Sequence, residues 1–231
     1  MPCYNAEKYI EETLLSALDS EYLNFEIIIV DDGSTDNSFS IINQYAERYS
    51  NIRCFHTQNQ GPAAARNYAI AESTGYYILP LDADDKIAKD YLTLAVAHFE
   101  KFPDTKLVYA EADFFGKVNG RWNLPDFNVH ELAFNNLIYC SGFYKKADWV
   151  NLGGYDTNLK YGFEDWEFWI RLLKNGSAVY KIPKTCFFYR ISDVSRSVSI
   201  DSGINQQETY LYIFKKHADF VIENLDRKSV V

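Results

Sequence analysis

The sequence predicts an α/β protein with a mostly parallel central sheet flanked by helices. Three observations carry this expectation. Short apolar runs alternate with amphipathic segments through the first half of the chain, which is the pattern of βαβ units. The Ile-rich run Phe25–Val30 is nearly continuous in its apolarity, as in a parallel strand buried on both faces. Each polar cluster in this half follows the carboxyl end of such a run, where open α/β sheets bind their ligands.

Taken in order, Asn5 is placed to cap a first helix carrying Ile10, Leu14, Ala17 and Leu18, with Glu7 favourable in its first turn. The strand Phe25–Val30 stops at Asp31-Asp32-Gly33-Ser34-Thr35-Asp36, and Asp36 is placed to cap a helix carrying Ile41, Ile42, Tyr45, Ala46 and Tyr49. Ile52–His56 reads as a further strand. Gly61-Pro62 opens a helix over Ala63–Ala71, with Pro62 where a missing N–H costs nothing. Tyr76–Pro80 is strand-like and runs into Leu81-Asp82-Ala83-Asp84-Asp85; Tyr91–Phe102 is a helix and Leu107–Ala110 a strand. The chain opens on what looks like a post-strand loop, so the first strand of the pattern is expected to be absent, with the true start upstream.

After Asp113 the pattern changes. Asn119-Gly120 signals a hairpin between Phe114-Phe115 and Trp122, and Val129–Leu137 suggests a short helix. Gly153-Gly154-Tyr155-Asp156 is a turn. Glu164-Asp165-Trp166-Glu167 opens a helix with Phe168, Ile170, Leu172 and Leu173, stopped by Gly176. Ala178–Ile182 and Cys186–Arg190 read as two short strands, and polar Ser192–Ser202 as a mobile segment. A last helix places Leu211, Phe214, Ala218, Val221 and Leu225 on one stripe, fit for core packing, a second subunit or a membrane surface.

The whole chain sets bounds. Its 231 residues suffice for one substantial domain, and no linker divides them. A net charge of -9 opposes broad binding to a nucleic-acid backbone. A nucleotide stays open, because a metal can supply local positive charge. Cys3, Cys54, Cys140 and Cys186 are scattered without metal-ligand spacing, which suggests reduced thiols and a cytoplasmic setting. No run is long and apolar enough to span a bilayer, and Met1–Asn5 is polar and turn-like rather than leader-like.

The chemistry concentrates at Asp82 and Asp84. Two residues apart in an extended segment, their carboxylates share a side and repel unless a cation or proton lies between them. A hard divalent ion completed by substrate phosphates answers that need. An acidic turn leading into a helix is the plainer reading. None of His56, His98, His130 and His217 has ligand spacing.

Six segments then stand in a familiar order: Pro2-Cys3-Tyr4-Asn5, Val30–Asp36, Gly61-Pro62-Ala63-Ala64-Ala65-Arg66-Asn67, Leu81–Asp85, Gly153-Gly154-Tyr155-Asp156 and Glu164-Asp165. With them the chain resembles the family-2 glycosyltransferases of the GT-A (Rossmann-like) fold, from Pro2 to about Arg190. The resemblance implies an inverting transfer of a sugar from a nucleotide diphosphate, with UDP-sugar as donor and Mn2+ or Mg2+ as metal, in polysaccharide or surface-glycan synthesis. Asp84 would be the metal ligand of a D-x-D motif, and Asp82 would lean toward the ribose or donor sugar. Tyr4 would stack on the base, and Asp32 would accept from the uracil imide. Pro2, Asn5, Gly61 and Ala83 complete the implied donor site. Arg66 is open between the base, a phosphate and a structural pairing with Asp32; Asp85 is open between capping a helix and supporting the site. Asp165 would be the general base, a role its place at a helix start does not by itself imply. Tyr189-Arg190 and Arg196 lie where a loop would fold over the diphosphate.

The implied layout is a single domain over 1–231, with a nucleotide-sugar half (1–113), an acceptor half (114–200) and a C-terminal helix (201–231). The acceptor would be a saccharide or lipid-linked saccharide, and the setting the cytoplasm or the inner face of the membrane. Two other readings are weighed: an inactive or truncated nucleotide-sugar-binding module, and a nucleotidyltransferase. The second lacks a Gly-rich basic loop, since Tyr4-Asn5-Ala6-Glu7 is not one.

Overall fold

Three hydrogen-bonded ladders organise the chain in the computed structural model, which describes residues 1–160, 162–192 and 203–225. The first ladder is parallel, in the order β1 (Pro2–Cys3), β2 (Ile27–Asp31), β3 (Ile52–His56). All five residues of β2 are buried, as its unbroken Ile/Val run requires. The expected absence of a first strand is corrected here. Pro2 and Cys3 are themselves strand, paired with Val30 and Asp31. A two-residue strand opening on Pro leaves little signal, yet Pro is tolerated at a strand's first position.

Helices α2 (Ser38–Arg48) and α3 (Pro62–Glu72) pack on this ladder, with Ala65 and Ala69 of α3 lying on Ile28 and Val30, and α1 (Ile10–Leu18) packs beside α2. Asn5 does not cap α1. The Tyr9 and Ile10 N–H groups donate to the Ala6 carbonyl, while Asn5 turns left-handed (φ 48°) and its Oδ1 accepts from Thr35 N at 2.8 Å. Asn and Asp tolerate that backbone region because their short side chains bond locally.

The strand before the acidic cluster is β4 (Tyr77–Ile78). It pairs antiparallel with β8 (Tyr144–Lys145), so it does not extend the parallel ladder as expected. The third ladder runs β5 (Lys86–Ile87), β9 (Val179–Ile191), β6 (Leu107–Gly116), β7 (Gly120–Trp122). Asn119-Gly120 does turn a hairpin, from β6 into β7. The two short strands expected late in the chain are one long strand, β9, parallel to β6. Its register slips between Ile182 and Thr185, where Pro183 has no N–H to give a ladder.

Helix α4 (Tyr91–Lys101) packs beside β6 and β9, and short α5 (Val129–Leu132) and α6 (Lys146–Leu152) precede α7 (Glu164–Leu173). In α7 Trp166, Phe168, Trp169, Ile170, Leu172 and Leu173 are all buried. Burying each large apolar side chain contributes roughly 1.5–3 kcal/mol. Both indole N–H groups are satisfied, Trp166 by the Leu132 carbonyl and Trp169 by that of Ile138.

The C-terminal stripe is also corrected. The expected helix is two, α8 (Gly203–Lys216) and α9 (Ala218–Leu225), broken at His217. Thr209, Ile213, His217, Phe220 and Asn224 are buried, whereas Leu211, Ala218 and Leu225 are exposed. Polar anchors join Ile213 and Phe220 in fixing the phase: His217 Nε2 lies 2.9 Å from Glu167 Oε1, and Lys216 Nζ donates to Asp156 at 2.6 Å. No helix among the described residues is long and apolar enough to cross a membrane. The expected mobile segment lies, beyond Ser192, outside the described residues.

Candidate active site

The carboxyl ends of β1 and β2 and the turn after β4 bring the acidic motifs together, and each motif is tied down by hydrogen bonds. Asp31 Oδ2 accepts from Ser34 N at 3.2 Å and sits 2.7 Å from His56 Nδ1, so Asp31 braces its own turn. Asp32 is buried and holds the next loop, accepting from Gln60 N at 2.9 Å and Gly61 N at 2.8 Å. Gly61 at φ 92° brings its N–H to that oxygen in a conformation other residues adopt only under strain. Tyr4 stands 48% exposed beside this turn, free of the core that absorbs most aromatics of the chain.

Arg66 is not paired with Asp32. It is buried, and its guanidinium reaches two carboxylates, Asp82 Oδ1 at 2.5 Å and Glu164 Oε1. No sequence pattern marks this bridge, which joins α3, the acidic turn and the start of α7. The neighbouring Asn67 makes a second link. Its Nδ2 donates to the Tyr155 carbonyl and its Oδ1 accepts from Tyr155 N, both at 2.8 Å. Gly154 must be glycine for that approach, since a Cβ there would lie 2.7 Å from Asn67 Oδ1. Two motifs 88 residues apart are thus one interlocked unit.

The acidic turn is held from behind. The Ala83 carbonyl accepts from Thr13 Oγ1 at 3.0 Å, and the Asp84 carbonyl from Arg190 Nε at 2.7 Å. Asp85 is not a helix cap, since α4 starts only at Tyr91. It is buried and accepts from Arg190 N at 2.8 Å. Burial, with Asp84 and Asp82 nearby, pushes its carboxyl well above the usual range. Arg190 therefore lies in β9 beneath the turn, between the rings of Tyr9 and Phe115, with Glu12 as a further partner. Arg196 lies outside the described residues.

Asp82, Asp84 and Asp165 stay half-buried. The described residues hold no cluster of three or more side chains fit to cage a metal. A single presented carboxylate such as Asp84 fits a hard cation whose remaining ligands are phosphate oxygens and water. Asp165 Oδ1 accepts from Trp166 N at 2.8 Å and Oδ2 from Asn136 Nδ2 at 3.1 Å. Burial and the adjacent Glu164 raise its carboxyl to about 6. Cys140 Sγ lies 3.6 Å from Asp82 Oδ2. Asn136 lies in the segment Val129–Leu137 expected as a helix, of which only Val129–Leu132 is helical, and Cys140 lies just beyond it; no motif marks either residue. A cavity of about 510 Å³ between β2 and β4 is lined by Arg66 but by none of the three aspartates, so it is a separate space behind the bridge.

Comparison with known proteins returns a consistent set. The family model described as "Glycosyl transferase family 2" matches residues 1–164. An uncharacterized glycosyltransferase of Haemophilus influenzae is 50% identical over 93 residues, 40% of this chain and 37% of that protein. The hyaluronan synthase of Pasteurella multocida is 28% identical over 273 residues, spanning 100% of this chain and 28% of the synthase. The chain thus spans well under half the length of these relatives. Among solved structures, Staphylococcus aureus TarS 1-349 in complex with UDP-GlcNAc superposes with a TM-score of 0.74 at 22% identity, over 87% of this chain and 59% of that one. The mannosyltransferase PcManGT from Pyrobaculum calidifontis, in complex with GDP-Man and Mn2+, gives 0.72 at 21% identity, over 94% and 62%.

Proposed function

The chain belongs to glycosyl transferase family 2, and from that premise we propose that it transfers a sugar from a UDP-sugar to an acceptor hydroxyl with inversion at the anomeric carbon. One observation carries the reading: a single guanidinium, Arg66, holds both Asp82 of the acidic turn and Glu164, the neighbour of Asp165. That bridge supports a reading in which the acidic turn serves the leaving diphosphate and the start of α7 serves the attacking hydroxyl.

A divalent cation at Asp84 would supply Lewis-acid stabilisation of the departing diphosphate. The chain's own part is to keep that carboxylate presented, through the bonds from Thr13 and Arg190 to the turn's carbonyls. Asp82, with Oδ1 bound to Arg66 and Oδ2 accepting from Cys140 Sγ, leans toward the ribose or donor sugar. The exposed Tyr4 ring stacks on the base. Asp32 already accepts from Gln60 N, Gly61 N and Thr57 Oγ1, and a carboxylate has about four lone-pair sites, which leaves one for the uracil imide. As the acceptor oxygen bonds to the anomeric carbon, the bond to the diphosphate breaks on the opposite face and the hydroxyl proton passes to Asp165. A carboxyl near 6 is ionised at neutral pH and basic enough for the task.

The neighbours support a nucleotide-sugar donor and differ in its base, UDP-GlcNAc in one and GDP-Man in the other. The names of the synthase relatives support a saccharide acceptor in polysaccharide or surface-glycan assembly. The test is Asp165→Asn. It should retain UDP-sugar binding and lose about 10²–10⁴-fold in turnover. Near-normal turnover, or a product retaining the donor's anomeric configuration, would sink the assignment. Asp32→Ala should weaken UDP more than it weakens inorganic diphosphate; tighter binding of GDP than UDP by the unmutated protein counts against uridine.

A further inference from the structure

We propose that Asn136 is a positioning residue for Asp165, fixing the orientation of its carboxylate and keeping it ionised; the proposal rests on the reading of Asp165 as the base. The geometry holds the carboxylate at both ends. Trp166 N, in the first turn of α7, donates to Oδ1 at 2.8 Å, and Asn136 Nδ2 donates to Oδ2 at 3.1 Å. The first bond belongs to the helix. The second comes from the stretch between α5 and β8, 29 positions away, and pins the side chain's rotation.

The orientation of the amide follows from its partner. Turned over, it would set a carbonyl oxygen against a carboxylate, two acceptors with no hydrogen between them. In the orientation that donates, Asn136 Oδ1 is buried with no hydrogen-bond partner. A buried acceptor without a partner lowers stability, and an apolar side chain of similar size would not. Packing therefore does not favour an amide at this place, and the bond to Asp165 is what the amide contributes.

The charges around Asp165 show what that bond does. Burial disfavours its ionised form, and Glu164 on the same helix adds a like charge. Arg66 from α3 works in the other direction, but its guanidinium is engaged by Asp82 and Glu164. Cys140, on the same stretch as Asn136, faces the cluster with a thiol that burial keeps protonated, so it brings no cation. Asn136 thus gives Asp165 a direct side-chain donor that Arg66 is not placed to give.

The test needs no knowledge of the sugar. Carboxyl ¹³C shifts of aspartate-labelled protein are followed with pH, and the Asp165 signal is identified by its loss in Asp165→Asn. In the unmutated protein the midpoint should fall near 6. Asn136→Ala should raise it by about one pH unit, the size expected for one hydrogen bond to a charged group. Asn136→Asp should raise it further, by like charge. Asn136→Gln, which keeps an amide donor on a longer arm, should return part of the shift. A midpoint unmoved in Asn136→Ala overturns the proposal, as does an equal midpoint in the Ala and Gln variants accompanied by a common fall in melting temperature, which is the mark of a structural role. Turnover of Asp165→Asn on a panel of UDP- and GDP-sugars separates the two ideas. If that variant is inactive and the midpoint does not move, only Asn136 loses its role; if it turns over normally, the base assignment falls and takes Asn136 with it.

Discussion

Arg66 is where residue-scale physics decides most. It is a buried cation with two carboxylate partners, and removing one side of such a group leaves uncompensated buried charge. Arg66→Ala should therefore cost roughly 3–5 kcal/mol of stability, read as a loss in the urea midpoint. Arg66→Lys should rescue little, because an ammonium lacks the planar fork that reaches two carboxylates at once. Near-wild-type stability in both variants would show the bridge to be slack. Glu164→Gln should be harmful for the same reason. The sequence shows that Arg66, Asp82 and Glu164 are charged and stand in motifs, but not that they meet, since Arg66 and Glu164 are 98 positions apart. Asp84 is a different case: its spacing from Asp82 leaves a shared cation and a plain acidic turn both open, and only the family resemblance singles it out as a metal ligand. Asp84→Ala should abolish the Mn2+- or Mg2+-stimulated part of UDP binding, as measured by calorimetry with and without EDTA. Equal affinity in both conditions would remove the metal from Asp84.

At the scale of elements, the long periodic pieces were readable and the short ones were not. Helices α2, α3, α4 and α7 fall where apolar periodicity places them, because each buries a face over about three turns. β1 and β4 have two residues each, and their pairing is set by neighbours distant in sequence. The C-terminal stripe is displaced for a sharper reason: ionic anchors at Lys216 and His217 turn Ile213 and Phe220 inward instead of Leu211 and Leu225, and an apolar pattern carries no sign of such anchors. Glu167, fully buried, accepts from His217, Arg171 and Lys216. Burial alone would raise its carboxyl, yet those three donors outweigh it and hold it at about 2. A depressed carboxyl contributes stability that is present above its ordinary value near 4.5 and is lost as pH falls through about 2. Docking of α8 and α9 on α7 should weaken across that acid window. The check is hydrogen exchange in 203–225 at pH 6 and pH 3, in the unmutated protein and in Glu167→Gln. The variant should be less protected at pH 6 and should change less between the two pH values; equal protection at pH 6 would refute the anchor.

For the molecule as a whole, the fold class was legible because strand and helix alternate through the first 113 residues, while the three-ladder arrangement was not, since it depends on which strand edges meet. The deepest of those meetings is between β6 and β9. Leu107 pairs with Val179 and Gly116 with Ile191, partners more than seventy positions apart. Loop closure of that length must precede any reward from pairing, so this ladder forms late. During synthesis, at roughly 5–20 residues per second, the apolar edge of β6 would wait about 4–14 s for its partner to emerge. Until then that edge is exposed to any holdase that recognises apolar strands. Its yield should respond to growth temperature and chaperone supply more than the equilibrium stability of the finished protein would suggest.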